Sequence, residues 1–165
     1  KSNQNMQFGK LNKKLMTIIQ SKLVQKEFSK SIKERQPMFN QAIYNLYLPG
    51  QGIKPHFDLL NFEDGILGLS LISSVLFSFF KADKRQIETG TSYAKEWKEG
   101  FNLCLNKGDV YFLTKEARYN WCHGIKECLV DHLNDSISLQ RQLRISITLR
   151  KVKEQAKLVE FNKNS

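Results

Sequence analysis

The sequence predicts a mainly β chain with an N-terminal helix, an α+β arrangement whose core is a β-sandwich or jelly roll with helical buttressing. Three observations carry this. Helical spacing of apolar residues occurs near the start, where Leu11, Leu15, Ile18, Ile19, Leu23 and Phe28 recur along one face. After Phe39 the pattern changes to about eight short runs rich in Ile, Leu, Val, Phe and Tyr, punctuated by turn residues. No internal repeat or low-complexity linker interrupts the chain, so one domain over residues 1–165 is expected. Its parts would be a helical region over 1–38, a β core over 39–152 and a polar tail over 153–165.

Taken in order, residues 1–10 are polar and read as frayed. One amphipathic helix of roughly five turns follows from Leu11, with Lys13, Lys14, Lys22 and Lys26 largely off its apolar face. It ends in the segment from Ser31 to Pro37. Residues 42–47 form a strand leading into the turn Pro49-Gly50-Gln51-Gly52, and an extended segment carries His56 and Asp58. Strands are expected over about 67–71 and 75–80, then a charged loop over 81–100. Two strands, 101–105 and 110–113, flank Asn106-Lys107-Gly108-Asp109, which reads as a hairpin connection. A strand with Trp121, Cys122 and His123 and a last strand over 143–152 complete the core.

Composition narrows the function classes. With 165 residues, 41% hydrophobic and 25% charged, the chain can build a real core. No apolar run approaches the ~20 residues of a membrane span, and the first residues lack a signal peptide's apolar region. No membrane partner is expected. An intracellular location, cytoplasm or nucleus, is expected, and because the chain opens on Lys1 an upstream leader or domain has room to exist. Cys104, Cys122 and Cys128 are odd in number and suit a reducing compartment, although Cys122 and Cys128 beside His123 also admit a zinc reading. The net charge is +10. Residues 1–36 carry +7, residues 37–140 carry −2 and residues 141–165 carry +5. Basic ends attract a phosphate backbone; solubilising lysines give the same pattern.

Three sequence features bear on chemistry. In an extended segment His56 and Asp58 point the same way, so they can share one metal ion; a strand with two polar residues is the plainer alternative. A third ligand would complete a 2-His-1-carboxylate triad with open metal positions, and only His123 and His132 remain to supply it. In the last strand Arg144, Ser146, Thr148 and Arg150 share one face and Ile145, Ile147 and Leu149 the other. The arginine face either meets solvent or lines a cavity, where two guanidinium groups suit a small dicarboxylate.

His56-x-Asp58, His123 and Arg144-x5-Arg150, in this order, resemble the AlkB family of Fe(II)- and 2-oxoglutarate-dependent dioxygenases. The likeness extends through Asn45-Leu46-Tyr47-Leu48-Pro49-Gly50, Leu69-Ser70-Leu71, Gly108-Asp109-Val110 and Glu116-Ala117-Arg118, over roughly residues 39–152. Its wording is closest to the eukaryotic branch that includes the tRNA wobble-uridine hydroxylase. The resemblance implies a double-stranded β-helix of cupin-like, jelly-roll form. It implies Fe(II) held by His56, Asp58 and His123, with Arg144 on the far carboxylate of 2-oxoglutarate and Arg150, Asn45 and Tyr47 around its metal-chelating end. The implied reaction consumes O2, oxidatively decarboxylates 2-oxoglutarate to succinate and hydroxylates a C–H bond. On an N-methyl group the product loses formaldehyde.

The substrate implied is a modified nucleobase in RNA, tRNA or alkylated single-stranded nucleic acid. The same chemistry on a protein side chain or small metabolite is the alternative, and a non-catalytic binding module is a third. Two departures from the family pattern bear on this. Ser146 stands where an Asn often lies in the closing motif. Leu60 stands two residues after Asp58, where repair-type members place an acidic residue that helps read the base. Tyr119 and Trp121 would either stack a flipped base or belong to the core.

Overall fold

The computed structural model describes residues 3–83, 93–94 and 96–154. Half of the charged loop expected over 81–100, and all but the start of the polar tail, lie outside the described residues. Among the described residues no helix is long and apolar enough to cross a membrane.

The single five-turn helix is replaced by three short ones: α1 (Lys13–Gln20), α2 (Lys22–Glu27) and α3 (Lys30–Lys33). Ser21 causes the first break. Its backbone is extended and its hydroxyl accepts from the Val24 amide, the N-cap arrangement that starts a new helix. The break turns α2, so Leu23 is 73% exposed and Val24 is buried instead. Leu15, Ile19, Val24, Phe28 and Ile32 then form one apolar layer under the helices.

Residues 3–8, expected to be frayed, form β1 (Asn3–Phe8), antiparallel to β2 (Gln41–Tyr47). Their polarity hides the strand, because its order comes from pairing rather than from burial. The other strands are β3 (Ile53–His56), β4 (Ile66–Leu71), β5 (Val75–Lys81), β6 (Phe101–Leu105), β7 (Val110–Leu113), β8 (Trp121–Ile125), β9 (Val130–His132), β10 (Ser138–Gln140) and β11 (Arg144–Arg150). A short helix, α4 (Lys115–Tyr119), and the β9–β10 hairpin were not visible in the periodicity.

Two antiparallel sheets make up a double-stranded β-helix. One has the order β1-β2-β11-β4-β7 and the other β3-β8-β5-β6. Residues 106–109 therefore do not close a hairpin. β6 pairs with β5 and β7 with β4, so the segment crosses from one sheet to the other. It is a compact turn all the same, with the Asp109 carboxylate accepting from the Asn106 amide at 2.7 Å and Gly108 at positive φ. It docks on β4 through Gly108 N–H to Ser70 O at 2.7 Å.

Strand alternation sorts the side chains. On β11, Ile147 and Leu149 face outward to the helical layer, joined by Ala42, Leu67 and Leu69. Ile66, Val75, Phe77, Phe79, Leu113 and Ile125 fill the space between the sheets. That filling stops short of the side where edge strands β1 and β3 face one another, and a cavity of about 240 Å³ opens there, with exposed Met6 and Tyr93 on its wall.

Candidate active site

β3 is a sheet edge, which accommodates Pro55 because no ladder donor is required there. His56 pairs across to His123 on β8, and their rings lie 4.7 Å apart. The strand ends at His56, so Asp58 is not placed by strand alternation. Arg118 of α4 places it instead. Its buried guanidinium donates to Asp58 O and Leu59 O, both at 2.6 Å, and to Phe62 O at 3.4 Å. The Asp58 carboxylate points into the cavity, with Oδ2 3.7 Å from His123 Nε2 and Oδ1 in an ion pair with Arg150. His132 lies elsewhere, exposed on β9 with Nδ1 3.0 Å from Ser138 Oγ.

Protonation follows from these contacts. Burial pushes both imidazoles down, His123 to about 3, against the opposing pull of Asp58. His56 Nδ1 lies 2.8 Å from Lys54 O, so the neutral ring carries its proton there and leaves Nε2 with a lone pair. Burial pushes the Asp58 carboxyl up, but Arg150, His123, His56 and Arg118 together hold it below the usual range. Two neutral imidazoles and an ionised carboxylate are what a divalent metal needs as donors. Buried His123 Nδ1 has no hydrogen-bond partner among the described residues. No three His, Cys, Asp or Glu side chains among the described residues are gathered closely enough to hold an ion, and Asp58 is paired with Arg150. The donor set fits Fe(II) in type and protonation, with Arg150 balancing the carboxylate.

The arginine face of β11 lines this cavity, as do Asn45 and Tyr47 of β2. Arg144 is buried. Its Nε donates to Ser70 Oγ at 3.1 Å and its guanidinium lies 5.5 Å from the Tyr47 ring. It forms no ion pair among the described residues, and buried Nη1 has no partner. A buried guanidinium without an anion is costly, and a carboxylate is the group that matches its geometry. Ser146 lines the same cavity beside the Tyr47 phenol, so the residue that departs from the family pattern still serves the cavity wall.

Sequence reasoning missed Gln4 and Tyr111 and the roles of Ser70 and Arg118. Gln4 Nε2 donates to Asn45 Oδ1 at 2.9 Å, which fixes the Asn45 amide. Its signal was masked by the polarity of β1. Tyr119 and Trp121 do not line the cavity: Trp121 packs edge-on against Phe101 at 5.2 Å, and Tyr119 lies 4.9 Å from the Arg118 guanidinium. Cys122 is buried with Phe57 and Phe80, whereas Cys128 contacts Asp131 at 3.4 Å, so the two thiols do not converge with His123.

Residues 10–150 match the model of the 2OG-Fe(II) oxygenase superfamily. Uncharacterized protein L905 of Acanthamoeba polyphaga mimivirus is 36% identical over 120 residues, 72% of this chain and 51% of that protein. The Alkylated DNA repair protein ALKBH8 homolog of Arabidopsis thaliana is 32% identical over 121 residues, 69% of this chain and 34% of that protein. The N6-methyladenosine RNA demethylase ALKBH of Cryphonectria parasitica is 32% identical over 99 residues, 57% of this chain and 44% of that protein. This chain thus spans about half or less of the length of each of these relatives. The chain belongs to the 2OG-Fe(II) oxygenase superfamily and is of the AlkB type, a family of oxidoreductases that use Fe(II), 2-oxoglutarate and O2.

Proposed function

We propose that the chain oxidises a modified nucleobase, by hydroxylation or demethylation, in RNA or tRNA first and in alkylated single-stranded nucleic acid second. The observation that carries the reading is the mouth of the cavity. Met6, Leu59 and Tyr93 are each about half exposed and line the cavity that leads to His56, with the Tyr93 ring 5.6 Å from the imidazole. An apolar and aromatic rim over a polar interior suits a flat heterocycle turned out of its stack. The names of the Arabidopsis and Cryphonectria relatives, a DNA repair protein and an RNA demethylase, support nucleic acid as the substrate class.

Charge supports this in part. The exposed lysines of α1, α2 and α3 offer phosphate contacts. At the other end Arg141, Arg144 and Lys151 are buried and Arg150 is paired with Asp58, so their charge serves the interior rather than a docking surface.

In this reading His56, Asp58 and His123 hold Fe(II), which with O2 supplies the oxidation of 2-oxoglutarate and of the target C–H bond. Arg144 anchors the distal carboxylate, while Asn45, Tyr47 and Arg150 orient the keto-acid end. Arg150 also keeps Asp58 ionised, and Arg118 holds the backbone from which Asp58 projects. Exposed Leu60, 42% accessible, supplies no acidic group for reading a base and favours the alternative of a protein side chain or small metabolite.

Succinate formation with Fe(II) and 2-oxoglutarate separates the two. It is to be measured with total tRNA, with methylated single-stranded DNA, with a protein extract and alone. Stimulation by a nucleic acid that falls steeply with salt is expected. Stimulation by the protein extract alone would overturn the nucleobase reading.

A further inference from the structure

The closed end of the cavity holds a residue that the motif pattern does not account for. Gly68 on β4 pairs with Tyr111 on β7 on one side and with Thr148 on β11 on the other. A Cβ on Gly68 would overlap the outer end of the Tyr111 ring, its Cζ, Cε1 and hydroxyl. The ring therefore lies across the bare backbone of β4, with its hydroxyl over Gly68. Phe77 holds the ring from the facing sheet, with centroids 5.2 Å apart. Two residues along β4 from Gly68, on the same face, Ser70 fixes Arg144 Nε. Tyr111 and Arg144 thus converge over β4 in the same cavity.

We propose that Tyr111 is a co-substrate-binding residue whose hydroxyl donates to the carboxylate of 2-oxoglutarate that Arg144 binds, making this end of the cavity selective for a five-carbon dicarboxylate. This rests on the assignment of Arg144 to the distal carboxylate. Arg144 brings charge and an unpartnered Nη1, and Tyr111 brings a rigid donor and a wall. The phenol interacts electrostatically with Arg144, Asp58, Tyr47 and Arg150 and hydrogen-bonds none of them. Burial pushes it up to about 12, so at neutral pH it keeps its proton and can only gain from an incoming anion. Gly68 is then a specificity device, because any side chain there removes the donor by displacing the ring.

The test is binding of 2-oxoglutarate and of 2-oxopentanoate to the Fe(II)-loaded chain under argon, by calorimetry. The second ligand has the same keto-acid end and chain length but a methyl group in place of the distal carboxylate. Wild type is expected to prefer 2-oxoglutarate. Tyr111→Phe keeps the ring volume and should weaken 2-oxoglutarate about ten-fold or more, with 2-oxopentanoate changed less than about two-fold. Gly68→Ala should lose the same preference, and thermal melting of both variants checks that they fold. If wild type shows no preference, the assignment of Arg144 fails and the inference falls with it. If wild type discriminates and Tyr111→Phe discriminates equally, the inference on Tyr111 alone is overturned.

Discussion

Arg118 donates to the main-chain carbonyl of Asp58 at 2.6 Å from a position 60 residues further along the chain. The guanidinium is fully buried and also serves Leu59 and Phe62. One side chain therefore satisfies the carbonyls of a segment that leaves its strand at His56 and has no ladder of its own. Arg118→Met should cost about 3 kcal/mol or more of stability, because two buried acceptors, Asp58 O and Phe62 O, lose this donor together. Urea unfolding followed by circular dichroism reads this. A loss below about 1 kcal/mol would mean that the segment holds itself.

Asp58 has two partners of different kind, Arg150 and the neighbouring imidazole of His123. Asp58→Asn keeps the shape and removes the charge. Fe(II) affinity and succinate formation should both fall at least 100-fold, since a neutral amide is a poor donor to a divalent metal. Metal-free Asp58→Asn should also be less stable by about 3 kcal/mol, because Arg150, only 14% exposed, is left without its counter-charge. Wild-type turnover in this variant would remove Asp58 from the metal centre.

The Tyr111 phenol gives a pH signature in the alkaline range. Its pKa is raised by burial to about 12, above the ordinary value near 10 of an unfolded chain. Above pH 10 the unfolded chain releases a proton that the folded one keeps, so the stability from this group is intact below pH 10 and declines as pH rises towards 12. The slope is about 1.4 kcal/mol per pH unit at most. Chemical unfolding at pH 10 and 11 should show wild type losing about 1 kcal/mol more than Tyr111→Phe. Equal losses would place the phenol in water.

Ser21 divides the N-terminal helical region, and its hydroxyl accepts from Val24 N–H. Ser21→Ala should destabilise the protein by about 1 kcal/mol, with no effect on 2-oxoglutarate binding because the helices lie on the outer face of the β1-containing sheet. Calorimetric melting together with a binding titration checks both halves.

Much of the β-helix core was legible because its strands are buried on one or both faces. The strands carrying Leu67, Phe77 and Leu149 declare themselves through apolar runs. The candidate site was legible where chemistry is unusual for its setting: two arginines on one face of the last strand, and a His and an Asp two residues apart. What stayed hidden depends on partners distant in sequence. β1 is ordered only by pairing to β2, and the crossing at residues 106–109 has the same turn chemistry as a hairpin. The break at Ser21 needs only one hydroxyl to redirect an otherwise continuous helical pattern. Arg118 was noticed as part of a motif, but its role is set by carbonyls that no sequence pattern reveals.

The two ends of the cavity differ in mechanical standing. Arg144 sits on β11, paired on both sides by β2 and β4. The mouth is walled by β1 and β3, each with one neighbour in its sheet. Amide exchange should therefore be fastest at the mouth and slowest behind Arg144. Selection can alter what enters at β1 and β3 without disturbing the strands that hold the co-substrate, so the same oxidising core can acquire new targets by changing two sheet edges.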